Sequence, residues 1–480
     1  MPARVALISI NAGRADTKSH WPHYGWVLLA TVLRDKGYEV QVFDQSFLKE
    51  SDVLFVERIR HYRPDLLGIS LYTTHVTRGL RLTRLLLKEI PGCRAIAGGP
   101  HVSLYGDVMA HDDLFAALVR FEAETVVGET VARVLRGETP GLVESTPTEG
   151  KSIPAADFSL AQGNERMKWL PIQLSRGCPF NCCFCEVNKI ASRQIRYRDI
   201  ETCLDEIALN LGTLMDVHTV RIVDDCPTLD RDRFKDFLHR YINRDLRARV
   251  SIDNMRADSI DSELLDLLKS CATPYVCVAA ESGNPEVFKL IDKGENPEDI
   301  VRAGQMIRQK RVPLFLCFVI GLPGSTFASE MDSLRLAKSL KPDLIYWNMF
   351  LPHRGTRARE WFQEHGQILD EADRFSVPSY DLTFSMPACS TPEFPREERV
   401  RAYLKCVLET VSFLFTPVVL VRAFVLAARY RLWSSIPIML VGLPRKFMVY
   451  SRLMLARLYA RRRSGRRCAP DAAQACDWVS

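Results

Sequence analysis

Cys178, Cys182 and Cys185 are set as Cys-x3-Cys-x2-Cys in the stretch LSRGCPFNCCFCEVNK, just after an apolar run that ends in Gly177. Three thiolates on one short loop can hold three irons of a 4Fe–4S cluster and leave the fourth iron open to a substrate or cofactor. A redox dithiol needs only two cysteines, and a structural zinc site normally takes four ligands with a second, distant pair. No CxxC or HxxxH partner with zinc-like spacing stands elsewhere in the chain. Ordinary buried thiols give no reason for the crowding of Cys178, Cys182, Cys183 and Cys185. Cys183 reads as a bystander, although a set of Cys178, Cys183 and Cys185 stays open.

Other residues suited to chemistry follow strand-like runs further on. They are Asp224 and Asp225, Arg256 in DNMRAD, Glu281 in ESGN, and Gly321 and Gly324 in FVIGLPGST. Each has a plainer alternative: an Asp pair at a strand end caps helices or faces water, and GLPG alone is a turn. Cys226, Cys277 and Cys317 read as buried structural thiols. In the first third of the chain, the small or polar residues at strand ends are Ser70, Thr73, Thr74, Gly98, Gly99, Pro100 and His101. Gly98-Gly99-Pro100 suits either a large flat ligand or a tight turn, and His101 reads as a turn residue.

These residues need elements to place them. Residues 1–135 alternate β-rich runs at 4–11, 39–44, 66–71, 94–98 and 117–121 with helical stretches near 24–36, 51–61, 76–90 and 124–136. That alternation predicts an α/β fold with a doubly wound, Rossmann-like parallel sheet. Such sheets bind ligands at the carboxyl ends of their strands, near the switch in strand order. No GxGxxG follows the first strand, so a nicotinamide or flavin fingerprint is absent. Residues 140–167 are rich in Pro, Thr, Ser and Gly and read as a linker. From 168 to 365, six strand-like runs end near Arg176, Asp224, Asn254, Glu281, Ile320 and Phe350, with helical patterns between them. Six βα units fit a partial (β/α)6 barrel, with its chemistry at the carboxyl ends of the strands. The expected domains are 1–139, 168–365 and a mostly helical, basic region at 366–480.

The cysteine loop and the strand ends that follow it resemble the radical S-adenosylmethionine (radical SAM) superfamily. The resemblance implies that the open iron chelates the amino and carboxylate groups of SAM, and that electron transfer then yields a 5′-deoxyadenosyl radical. It also implies roles: Phe184 against the adenine, Asp224 and Asp225 near the SAM amino group, Arg256 at the carboxylate, Glu281 at the ribose, and Gly321 and Gly324 beside the adenine. Ser325 stands where the family often has Glu. LIYWNMFLPHRGTR resembles the proline-rich ending of these barrels, with His353 and Arg354 replacing small residues and with Trp347 and Asn348 as candidates to face the substrate. The first third resembles the cobalamin-binding domain fused ahead of many such barrels, through GISLYTTH, AGGPHVSL and FEAE. Ser70, Thr73, Gly98, Gly99 and His101 would then line the cobalamin site. There is no Asp-x-His-x-x-Gly, so cobalt would not be held by a His at that motif; a domain without cofactor is the alternative.

The resemblance therefore implies a cobalamin-dependent enzyme that methylates an unactivated carbon. The alternatives are a radical reaction without methyl transfer, or a non-catalytic cluster protein. A flavodoxin or ferredoxin is the implied electron donor, and no catalytic residue beyond the cluster ligands is assigned. Fourteen cysteines and an N-terminus without a cleavable apolar segment predict a reducing, cytoplasmic setting. The net charge of +6 is modest, and no nucleic-acid reader motif occurs. Between Glu409 and Asp471 there is no acidic residue, while arginines such as Arg422, Arg445, Arg461, Arg462 and Arg463 mix with apolar runs. That pattern fits either an interfacial segment on anionic lipid or a helical cap on the barrel. The first would suit peripheral contact with the inner membrane face and a lipophilic substrate; a basic cap would equally suit an anionic one.

Overall fold

The computed structural model describes residues 2–11, 21–110, 113–369 and 387–410, with positions 421 and 424. Its first sheet contains β1 (Arg4–Ser9), β2 (Glu39–Asp44), β3 (Leu66–Ser70), β4 (Arg94–Gly98), β5 (Ala117–Arg120) and β6 (Gly141–Glu144), all parallel in the order β2-β1-β3-β4-β5-β6. The order reverses between β1 and β3, which opens a crevice at their carboxyl ends. Helices cover both faces, so these strands are apolar nearly throughout. Val5, Leu7, Val42 and Leu66 pack toward the helix Tyr24–Asp35, whereas Ala6, Ile8, Leu67 and Ile69 pack with Phe55, Ile59 and Leu82 on the other side.

After β7 (Trp169–Ile172) comes a short antiparallel pair, β8 (Ser175–Arg176) with β9 (Arg196–Tyr197). The chain then alternates helices with β10 (Thr219–Ile222), β11 (Arg249–Met255), β12 (Val276–Glu281), β13 (Leu314–Ile320) and β14 (Leu344–Met349). These strands form a second parallel sheet in the order β14-β13-β12-β11-β10-β7, an arc with β7 and β14 at its edges. In β13, Leu314, Leu316, Phe318 and Ile320 are buried against the helices, while Phe315, Cys317 and Val319 face the concave side half-exposed. Helices start where the sequence offers a side-chain cap, at Asp199, Asp230, Asp261, Asn284, Thr326 and Thr356.

Several expectations change. β7 stops at Ile172 rather than near Arg176, because Leu174 N and the Ser175 hydroxyl turn aside to bond Asp224 at 2.7 and 2.6 Å. The stretch expected as linker contains β6, paired along β5. A further helix, Pro100–Met109, starts directly after Gly99. Trp347 does not face the concave side: it is buried, stacks on Phe318 and donates to Thr410 Oγ1 at 2.9 Å. Thr410 ends the helix Arg396–Thr410, which packs on β13, β14 and the helix Phe327–Leu340. The basic segment beyond 410, on which membrane contact was expected, lies outside the described residues apart from 421 and 424. Among the described residues, no helix is long and apolar enough to cross a membrane.

Candidate cluster and cofactor site

The cysteine loop springs from β8 and returns through β9, at the carboxyl end of β7. Gly177 has φ +90°, and a Cβ there would come within 2.8 Å of the Ser192 carbonyl, so only glycine fits. Cys178 N donates to Ser192 O at 3.0 Å, which closes the loop's base. Cys178, Cys182 and Cys185 are all partly exposed, whereas Cys183 is buried in the core. Cys183 is pinned on both sides, its N–H donating to Ile291 O at 2.8 Å and its carbonyl accepting from Ala358 N at 2.9 Å. The loop thus separates Cys183 from the other three.

The donor set suits a polynuclear cluster. Burial pushes Cys182 up to about 11 and Cys185 up to about 12, and ionisation of one loop thiol opposes that of the next. A cationic iron–sulfur core would relieve that repulsion. Cys178 is held below the ordinary thiol value by a hydrogen bond from Cys226. Among the described residues no three His, Cys, Asp or Glu side chains converge as at a mononuclear metal site. A cubane makes no such demand, since each thiolate binds its own iron.

The remaining strand-end residues divide into those that reach the cavity and those that hold it. Asp224 is buried, and both of its oxygens are taken by the root of the loop. Burial lifts it to about 7. Asp225 is only partly buried and accepts from Gly177 N at 2.9 Å. Arg256 is occupied too, bonding Asp258, Lys293 O and Gly294 O and lying 3.6 Å from the Phe180 ring centre. It lines a cavity of about 520 Å³ with Phe180, Asp230, Asp232, Asp258 and Ser259. Glu281 takes φ +57° at a bulge against β13, within 3.4 Å of Lys293 Nζ. Phe184 is half-buried against the core.

The glycines of GLPG lie against other side chains of the protein, Gly321 against a buried one and Gly324 against an exposed one. A Cβ on Gly321 would overlap Nη1 of Arg399, and one on Gly324 would overlap Leu290. Arg399 donates to Gly321 O at 2.8 Å, and Gly321 N donates to Glu330 at 2.9 Å. Arg399, Glu330, Lys293 and Glu295 were not legible as site residues, because each comes from a helix or turn distant from any motif. The Lys-Gly-Glu run after the ESGN helix was the only available signal.

In the first sheet, Ser70, Thr73, Gly98, Gly99 and His101 do come together. Ser70 pairs with Gly98 across β3 and β4, and Gly99, at φ +96°, leaves no room for a Cβ above Ser70 Oγ. His101 Nδ1 lies 3.1 Å from Thr73 Oγ1 and its ring stacks on Tyr105. Burial lowers its pKa to about 4, so the imidazole is neutral. Residues 12–20, which follow β1 in the sequence, are outside the described residues. The FEAE segment joins this domain to the cluster loop: Glu124 meets Arg176 at 2.7 Å, and Glu122 meets Arg176 at 3.2 Å and also Arg196. Arg354 also reaches Asp107 at 2.9 Å, and His353 lies 3.1 Å from Glu186, one residue past Cys185.

A family model described as the radical SAM superfamily matches residues 172–337, and one described as a B12 binding domain matches residues 10–131. An anaerobic magnesium-protoporphyrin IX monomethyl ester cyclase of Rubrivivax gelatinosus is 26% identical over 412 residues, which span 79% of this chain and 72% of that one. A protein of Pyrococcus horikoshii named as an uncharacterized methyltransferase is 24% identical over 71% of this chain and 78% of its own length. The fold also matches the radical S-adenosylmethionine methyltransferase TsrM of Kitasatospora setae, solved with cobalamin and a 4Fe–4S cluster. That match has a TM-score of 0.65 at 16% identity and covers 87% of this chain and 92% of TsrM.

Proposed function

This chain belongs to the radical SAM superfamily and joins its barrel to a B12 binding domain, and from that premise we propose that it methylates an unactivated carbon of a small molecule. Cys178, Cys182 and Cys185 would hold the cluster. Bound together, cluster, SAM and cobalamin supply a 5′-deoxyadenosyl radical and a transferable methyl group. The chain's own residues would do the rest. Gly177 and Asp225 fix the loop's base, Glu281 offers a carboxylate to the ribose, and Arg256 with Phe180 walls the cavity. Ser70, Thr73, Gly98, Gly99 and His101 would line the cobalamin crevice. The observation that carries the proposal is the clamp of Glu122 and Glu124 on Arg176 and Arg196, which ties the B12 binding domain to the hairpin bearing the cysteines. Two cofactors that act on one substrate need such a fixed relation. A flavodoxin or ferredoxin would supply the electron.

The match to the cyclase favours a second reading, radical chemistry without methyl transfer. Anaerobic protein incubated with SAM, reductant and cobalamin separates the two. 5′-Deoxyadenosine with S-adenosylhomocysteine supports methyl transfer, and deoxyadenosine alone supports the second reading. Alanine at all three cysteines should abolish iron binding and SAM cleavage. A full cluster in that variant would refute the ligand assignment.

A further inference from the structure

Lys293 lies just past the helix Pro285–Ile291, in a turn where Asp292 and Gly294 take φ of 51° and 69°. The turn drives its side chain inward, leaving it 7% exposed beside the fully enclosed side chain of Glu295. Its Nζ stands 3.0 Å from Glu295 and 3.4 Å from Glu281, and it donates to the Ala279 carbonyl. Glu295 in turn accepts from Ala257 N at 2.6 Å and faces Arg256 at 3.8 Å. An ammonium removed from water persists only where such partners offset its desolvation. Burial works against the charge on Lys293, and the two carboxylates outweigh it.

The same turn is the platform for the cysteine loop. Cys183 N bonds Ile291 O, Asn181 donates to Asp292 at 3.1 Å, and Phe180 covers the guanidinium that is fastened to Lys293 O and Gly294 O. Packing alone does not call for an ion here, because apolar residues of similar volume usually serve a buried site as well or better. The charge thus sits in the turn on which the loop rests.

We infer that Lys293 tunes the cluster: its buried ammonium, partly neutralised by Glu295, raises the reduction potential of the cluster carried by Cys182. The inference rests on the cluster assignment above. Reduction adds an electron, so a nearby positive charge favours the reduced form and a nearby negative charge disfavours it. Lys293 and Glu295 should therefore move the potential in opposite directions, which no packing role requires.

The test is an anaerobic redox titration of the cluster-loaded full chain, monitored by electron paramagnetic resonance, in wild type, Lys293→Gln, Lys293→Arg and Glu295→Gln. At a fixed poise, Lys293→Gln should lower the reduced-to-oxidised ratio about tenfold, a shift of about 59 mV for one electron. Glu295→Gln, which keeps an acceptor for Ala257 N, should raise the ratio, and Lys293→Arg should stay near wild type. Unchanged potentials, or shifts of one sign in Lys293→Gln and Glu295→Gln, overturn the inference. If Lys293→Gln loses its iron, Glu295→Gln decides alone, and an unchanged or lower potential there overturns it. A wild-type chain that binds no cluster removes the cluster assignment, and this inference with it.

Discussion

Alanine at Gly321 should destabilise the barrel far more than alanine at Gly324, although both glycines sit in one GLPG turn. Both have positive φ, +86° and +73°, so each substitution carries a backbone cost of about 1–2 kcal/mol. The difference lies in what the new methyl meets. At position 324 it meets Leu290, a side chain 47% exposed and free to swing aside. At position 321 it meets Arg399, which is 1% exposed and held by bonds to Gly321 O and Phe394 O at 2.8 and 2.9 Å. Displacing a charged, buried donor forfeits about 1.5–3 kcal/mol per bond. With the Nη1 bond to Gly321 O lost, Gly321→Ala should thus cost about 2.5–5 kcal/mol, against about 1–2 for Gly324→Ala. Urea unfolding followed by tryptophan fluorescence reads the difference as a shift in midpoint at unchanged slope. An Arg399→Met background supplies the control: there the excess cost of Gly321→Ala should vanish, because the obstructing guanidinium is gone. Equal midpoints for the two alanine variants, or an excess cost that survives Arg399→Met, would refute the reasoning.

Cys183→Ala should keep full iron content while losing about 1–2 kcal/mol of stability, since Cys183 fills the core; loss of iron in this variant would move the ligand set to Cys178, Cys183 and Cys185. Asp224, lifted by burial to about 7 from an ordinary 3.8, contributes stability that is full below the lower value and lost as pH rises through the upper one. Between pH 5.5 and 8 that loss amounts to about 2 kcal/mol, so the urea midpoint of Asp224→Asn should fall less with rising pH than that of wild type. Glu330 is also lifted to about 7 and titrates in both chains, so the comparison isolates Asp224; parallel pH profiles would show that Asp224 is not the group responsible.

The alternation of strands was legible because parallel strands buried on both faces appear as short apolar runs that end in small or polar residues. β1, β3, β4 and β12 carry that mark most plainly. β6 does not: Gly141–Glu144 lies among Pro, Thr and Ser, and its hydrogen bonds to β5 define it as a strand. The helix Pro100–Met109 was missed for a different reason. Gly98-Gly99-Pro100 looks like a turn, yet proline at the first helical position is also a start signal. The early end of β7 could not be read from that strand, because it is set by the Asp224 carboxylate fifty residues downstream.

The same distinction runs through the site. Residues that would touch a cofactor sit in compact motifs, since one loop or strand end must present several groups at once, and spacing exposes the cysteine loop while leaving Cys182 and Cys183 as alternatives beside Cys178 and Cys185. The groups that hold those residues obey no local spacing. Arg399 reaches the GLPG turn from the last described helix, Glu122 and Glu124 reach the cysteine hairpin from the other domain, and Lys293 reaches Glu281 and the Ala279 carbonyl from the turn on which the cysteine loop rests. Each is a charged residue that sequence composition assigns to the surface, and each is buried only because a partner of opposite charge or a carbonyl lies in a separate element. A supporting charge of this kind becomes visible when the strands are assembled, and so do the hydrogen bonds that Asp224 and Arg256 make within the protein, which their motifs did not announce.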